Sequence, residues 1–240
     1  MARTLVSSIQ QHPQLTLSVG IRDDARFANF YPGNNEEVIQ AIQKQWTTSG
    51  DPYLFVAGAS GAGCSHLLQA ACHYAEGLGH RSVYVPLDEM AGFGPDVLDG
   101  LEQLPLVVLD CLHAVVGKDE WEVALFHLFN RIKDNDGHLL VAADAVPQKL
   151  ALRLADLSSR LTGGVVYQVE PLNSEGKAQA LVLRAKHRGI RLSEESARFI
   201  VSRGPGSMQG LSGVLDQLDQ ISLSAQRKLT IPFIKEELGW

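Results

Sequence analysis

What this 240-residue chain has least of is cysteine, methionine and tryptophan, three of each. Three cysteines, an odd number at irregular spacing, give no disulfide framework and point to a reducing compartment. Long apolar runs are missing too, and none approaches the about 18 residues of a membrane-spanning helix. The opening "MARTLVSSIQQHPQ" lacks the apolar core of a secretory signal. Nor is there an excess of basic charge: 21 Lys and Arg face 27 Asp and Glu, for a net charge of -6. The chain as a whole has no electrostatic pull toward DNA or acidic lipid, so any nucleic-acid contact needs a local patch. A cytoplasmic protein independent of membranes is expected.

What is present is globular composition, with 45% hydrophobic and 20% charged residues. Residues 1–22 read as a polar arm whose one alternating stretch is "QLTLSV", Gln14 to Val19. Strand patterns follow at "YLFVAG", "RSVYVPL", "LVVLD", "HLLVAAD" and "VVYQVE". Helical patterns fall before and between them, at "EEVIQAIQKQW", "SHLLQAACHYAEGLG", "PDVLDGLEQL", "DEWEVALFHLFNRIKD" and, briefly, "LADLSSRL". Five apolar strands separated by helices imply a parallel sheet covered on both faces, an α/β domain over residues 23–170. From Pro171 only helical periodicity remains, with caps at Asn173 and Ser193 and a stop at Gly189. A helical domain is therefore expected over residues 171–240.

Gly58 to His66 read "GASGAGCSH", directly after a strand and opening a helix. Gly58, Gly63 and Ser65 fall on the P-loop pattern G-x-x-x-x-G-K-[ST], but the lysine position holds Cys64. Backbone N–H groups of such a loop, and the positive end of its helix, cradle phosphate whatever the side chains are. A thiol, however, brings no charge. Losing one charge-assisted contact costs roughly 1.5–3 kcal/mol of binding, whereas phosphoryl transfer draws most of its rate from such charge. One strand–helix unit on, "LVVLDCLH" ends an apolar strand in Asp110, the form of a Walker B segment. The following position, where a hydrolytic enzyme places an acid, is Cys111, and the next polar residue is His113. Both departures fall on the hydrolytic side, so the expectation is a domain that holds nucleotide without hydrolysing it fast. A competing reading joins Cys64 and Cys111 with His66 and His113 in a metal or redox site. Their Cys-x-His spacing departs from zinc fingers, and small buried cysteines with incidental histidines explain them as well.

Taken in order, "RFANFYPGNN", "GASGAGCSHLLQAAC", "VYVPLDE", "LPLVVLDCLHAVVGKDEWEVALFHLFNRI", "LADLSSRL" and "LDQLDQISLSAQRKLTIPFIKEEL" resemble the AAA+ family. Within it they are similar to the branch of the replication initiator DnaA and its paralogue Hda, the last segment more to Hda. The resemblance covers nearly the whole chain from Gln14. It implies a P-loop module, a five-stranded parallel αβα sandwich with a C-terminal all-helical lid. It also implies a role: a negative regulator of replication initiation that binds ADP and docks on the DNA-loaded sliding clamp, the beta subunit of DNA polymerase III. There such a protein stimulates hydrolysis of ATP held by DnaA, meeting DNA indirectly through the clamp; a homodimer is a further expected assembly.

The same resemblance assigns residues. Phe30, Tyr31 and Pro32, the loop residues Gly58, Gly61, Ala62, Gly63, Cys64, Ser65 and His66, and Asp110 would form the nucleotide site. Asp144 falls at the sensor 1 position and Gln209 where a lid arginine is usual. Ser65 and Asp110 would hold Mg²⁺. The clamp peptide would be Gln14, Leu15, Leu17 and Val19, with a less bulky ending, Ser18 and Val19, than the family's. Arg160 matches the arginine finger, a cation offered to a neighbour's active site. With Cys64 and Gln209 both uncharged, weak ADP binding is expected, and no independent catalysis. The alternative is a slow AAA+ ATPase or DNA-loading partner protein acting as its own oligomer.

Overall fold

A computed structural model describes residues 20–225 and 227–240; the predicted clamp peptide, Gln14 to Val19, lies outside the described residues. Five strands carry the fold: β1 (Tyr53–Ala57), β2 (Ser82–Pro86), β3 (Leu106–Asp110), β4 (His138–Ala143) and β5 (Val165–Gln168). Every pairing is parallel, and the order across the sheet is β2-β3-β4-β1-β5. Helices α1 (Glu36–Lys44), α2 (Cys64–Gly77), α3 (Leu87–Met90), α4 (Asp119–Asp134) and α5 (Ala155–Thr162) accompany it.

Successive side chains on a strand point to opposite faces, so a sheet buried on both sides needs runs without polar alternation. In β3 all five residues are buried. Leu54, Val56, Val108 and Leu140 face α1 and α2, whose Val38, Ile42, Leu67 and Leu68 fill that side. Phe55, Val107, Leu109 and Val141 face Leu125 and Leu128 of α4 and Leu157 and Leu161 of α5.

One expected helix is absent. "PDVLDGLEQL" forms two separate 3₁₀ turns, Pro95–Leu98 and Leu101–Gln103. Gly94 and Gly100 both have left-handed backbones (φ 88° and 79°), which interrupts a right-handed helix before each turn. Conversely α3, a single turn after β2, is too short for periodicity to reveal.

Beyond Pro171 the described elements are helical: α6 (Ser174–His187), α7 (Glu194–Arg203), α8 (Met208–Ala225) and α9 (Ile231–Leu238). Asn173 Oδ1 accepts from Gly176 N at 2.8 Å and Ser193 Oγ from Ser196 N at 3.1 Å, so both expected caps form. Leu181, Ile200, Leu215, Leu218 and Phe233 make this bundle's own core. Polar bonds hold the end of the sheet domain and the bundle to the segment before α1. Asn35, 4% exposed, donates to Glu170 O at 3.0 Å and accepts from Glu170 N at 2.8 Å. Arg188, just past α6, reaches Asp24 at 3.3 Å and also pairs with Asp216. Among the described residues no helix is long and apolar enough to cross a membrane.

Candidate functional site

The glycine loop leaves the carboxyl end of β1 beside β4, where Gly58 N donates to Ala143 O at 3.0 Å. Gly61 (φ 81°) and Gly63 (φ 107°) occupy left-handed conformations that a side chain would strain. No side chain caps α2, which leaves the amides of its first turn open toward the loop. Phe30 closes one side, since a Cβ on Gly63 would come within 2.9 Å of its ring. These are the features of an anion cradle built from backbone.

Cys64 is turned inward rather than toward that cradle. A Cβ on Gly58 would meet its sulfur at 2.6 Å. Burial, with help from the nearby Asp110 carboxylate, pushes the thiol up to about 12, so it stays neutral. The Ser65 hydroxyl is exposed and makes no bond among the described residues. Asp110, 3% exposed, accepts from Tyr84 Oη at 2.6 Å through Oδ2 and from Cys111 N at 2.8 Å through Oδ1. The second bond accompanies a left-handed backbone at Cys111, φ 55°. A carboxylate has about four acceptor positions, so each oxygen keeps one free for a further donor or a hydrated cation.

His66, next after Ser65, forms a bridge. Its Nε2 donates to Arg26 O at 3.0 Å, which leaves Nδ1 bare to accept from Arg184 Nη2 of α6 at 3.2 Å. Its ring also lies 5.3 Å from that of Phe30. Burial first, then the neighbouring Arg184 and Arg22 charges, bring the imidazole down to about 4 despite opposing contributions from Arg26 O and Asp24. Asp144 is exposed just past β4, with its amide donating to His113 Nδ1 at 3.3 Å. Gln209 is exposed in the first turn of α8 and has no side-chain partner among the described residues. Tyr31 and Pro32 are half-buried between Phe30 and α1. Thus the loop, Phe30, His66 and Asp110 come together at one edge of the sheet. His66 and His113 face different neighbours, and among the described residues no group of three or more His, Cys, Asp or Glu is placed to hold a metal ion.

Arg160 sits elsewhere. Helix α5 runs back along the sheet and delivers it near Gly163, Gly164 and the start of β5, the edge opposite the loop. It lines a cleft of about 950 Å³ with Asp51, Tyr53, Phe129, Lys133 and Asp156. The guanidinium is exposed, makes no ion pair among the described residues, and lies 6.0 Å from the centre of the Phe129 ring. On the same helix Leu157 and Leu161 are buried, and Leu154 at its N-cap is half-buried. Buried Glu122 fixes the other end of α5: it accepts from Arg153 N at 2.8 Å and Leu154 N at 2.7 Å through Oε2, and from Gly117 N at 2.7 Å through Oε1.

Sequence patterns carried no sign of Tyr84, Glu122 or Arg184, because each has a partner 26 to 118 positions away. Only the strand register, the packing of α4 beside α5 and the position of α6 bring them in.

Comparison with known proteins agrees with this architecture. The family model "Hda, lid domain" matches residues 174–238, and "Bacterial DnaA ATPase domain" matches 96–168, which begins beyond the glycine loop. Domain III of the Thermotoga maritima replication initiation protein DnaA superposes with a TM-score of 0.75 at 22% identity, over 91% of this chain and 97% of that one. AMPPCP-bound DnaA from Aquifex aeolicus gives 0.67 at 22% identity, over 83% of this chain and 66% of that one. The Holliday junction branch migration motor RuvB of Thermotoga maritima gives 0.58 at 13% identity, over 85% and 68%. This chain thus spans about two thirds of the longer initiator. The parallel β2-β3-β4-β1-β5 sheet, the loop after β1 and the helical lid place the chain among the DnaA-related AAA+ replication regulators, with a lid of the Hda kind.

Proposed function

We propose that this protein is a nucleotide-holding adaptor that turns off replication initiation by lending Arg160 to ATP-bound DnaA while docked on the DNA-loaded sliding clamp. The observation that carries this reading is the separation of Arg160 from the chain's own loop. The five residues of β1 span about 17 Å at roughly 3.3 Å each, and loop and arginine lie at its two ends. An arginine so placed serves a neighbour's phosphates, not its own, and such a cation in trans is worth about 10³–10⁵ in rate.

At the other edge the adaptor holds ADP through the amides of Gly58 to Ser65, with Phe30, Tyr31 and Pro32 beside the base and His66, Asp144 and Gln209 around the rim. Ser65 Oγ and the free positions on Asp110 are the groups that would hold Mg²⁺, whose chemistry is to offset phosphate charge. Neutral Cys64 and Cys111 supply neither a phosphate cation nor an acid to orient water, which supports a holding role over turnover. Gln14, Leu15, Leu17 and Val19 serve as the clamp peptide, and the units are residues 1–22, 23–170 and 171–240.

The test is single-turnover hydrolysis of ATP bound to DnaA, with clamp and DNA supplied. Stimulation is expected from the whole chain and not from a chain lacking residues 1–20, which keeps its melting temperature. ATP hydrolysis by the chain alone, lost on Asp110→Ala, would instead make it an ATPase acting as its own oligomer.

A further inference from the structure

Two of the positions from which this fold draws cationic help for phosphate are empty of charge, yet a third cation points at the loop. We infer that Arg184 is the phosphate-binding cation of this nucleotide site; the inference rests on the ADP-holding reading above. Arg184 lies in the last turns of α6, and its Nη2 is 3.2 Å from Nδ1 of His66, one residue beyond the Ser65 hydroxyl. It therefore reaches the first turn of α2, where the open amides of the loop converge.

Among the described residues no carboxylate is bonded to it. Its bonded partners are the Ser212 hydroxyl and the neutral His66 ring. The nearest acids, Asp24 and Asp216, are bonded to Arg22 and Arg188 instead. Burial first, then the Arg22 and Arg188 charges, lower the pKa of Arg184 against the opposing pull of Asp24 and Asp216, as for a cation that water no longer solvates fully. A cation in that position gains from an anion not already committed to another arginine, and a diphosphate seated on the loop would be one. His66 is suited to its place there. Its Nδ1 accepts a bond from Arg184 and, being neutral, does not compete for the phosphate. The guanidinium fork has further donors free after the Ser212 and His66 bonds, enough for a phosphate oxygen.

Cation and base contributions separate with two ligands, ADP and adenosine, titrated calorimetrically into the parent, Arg184→Gln and Arg184→Lys. ADP affinity is expected to fall about ten- to a hundred-fold in Arg184→Gln, with partial recovery in Arg184→Lys. Adenosine affinity should change less than about twofold. Equal ADP affinity in parent and Arg184→Gln overturns the assignment while leaving the nucleotide site standing. Equal losses for ADP and adenosine overturn it too, since Arg184 would then only order the lid. A parent that binds no ADP removes the nucleotide reading itself, and this inference with it.

Discussion

The two edges of the sheet are furnished in opposite ways. At the carboxyl edge the side chains are withdrawn or neutral: Cys64 tucks over Gly58, both oxygens of Asp110 already accept bonds inside the protein, and His66 is held uncharged. What the loop leaves open there is backbone and the Ser65 hydroxyl, with the lid's Arg184 held against His66. At the amino edge the reverse holds, with an exposed Arg160, in no ion pair among the described residues, beside a broad cleft and an aromatic ring. The contrast separates holding a phosphate, which main-chain amides do passably, from stabilising charge that develops on one, which needs a placed cation. A protein with the first at home and the second facing outward is built to act on someone else's nucleotide.

The largest effect should come from removing the outward cation. Arg160→Ala is expected to abolish most stimulation of hydrolysis on DnaA in single-turnover assays, a loss of about a thousand-fold or more. Arg160→Lys should restore little, because the planar fork is lost. Thermal unfolding should stay within about 1 kcal/mol, as for other exposed substitutions. A fully active Ala variant would erase the contrast between the edges.

Next in size is the support of that arginine. Glu122→Ala strips the acceptor from three backbone N–H groups at the start of α5 and in the turn before α4. A loss of roughly 3 kcal/mol in urea unfolding is expected, with stimulation falling as α5 loosens. An unchanged midpoint would mean that water replaces the carboxylate without cost.

Supplying the holding edge with charge should shift its character by a smaller step. Cys64→Arg is expected to tighten ADP about ten-fold by calorimetry without making the chain a fast ATPase, since Cys111 still stands where an acid is needed. Equal affinity in the two proteins would show that the loop is not limited by charge.

A last effect, read as a slope, concerns the joint between lid and sheet. His66 titrates near 6.5 when unfolded and at about 4 when folded. The unfolded chain binds more protons in that window, so this contribution is complete above pH 6.5 and drains as pH falls toward 4. It amounts to at most about 1.4 kcal/mol per pH unit. Urea midpoints from pH 7 to 5 should decline less steeply in His66→Asn; parallel slopes would count against the bridge.

Much of the fold was readable from the chain because its signals are local. "YLFVA", "LVVLD" and "HLLVAAD" had to be two-sided strands, and α4 begins and ends where its acids and bases complement the dipole. The ten residues at Pro95–Leu104 misled, because apolar spacing outvoted two glycines whose left-handed backbones no composition displays. At the site, spacing located the glycine loop and Asp110, whereas Arg160 was singled out by the family resemblance alone. Spacing did not disclose that Tyr84 sits on Asp110, since that depends on Tyr84 pairing with Val108, two residues before the aspartate on the neighbouring strand. Arg184 was hidden for the same reason: on its own helix it is one basic residue among several in a last turn.

The place of β1 inside the sheet has a consequence during synthesis. Its partners are β4 and β5, yet β1 ends at Ala57 and β4 begins only at His138. At roughly 5–20 residues per second, the apolar segment Leu54–Ala57 leaves the ribosome about 4 to 16 s before either neighbour is made. The first strand pair with both members available is β2 with β3, at the far side of the sheet. The nascent chain must therefore keep a sticky, edge-exposed strand soluble until the sheet can close around it, and slow translation before His138 should raise its demand for chaperones.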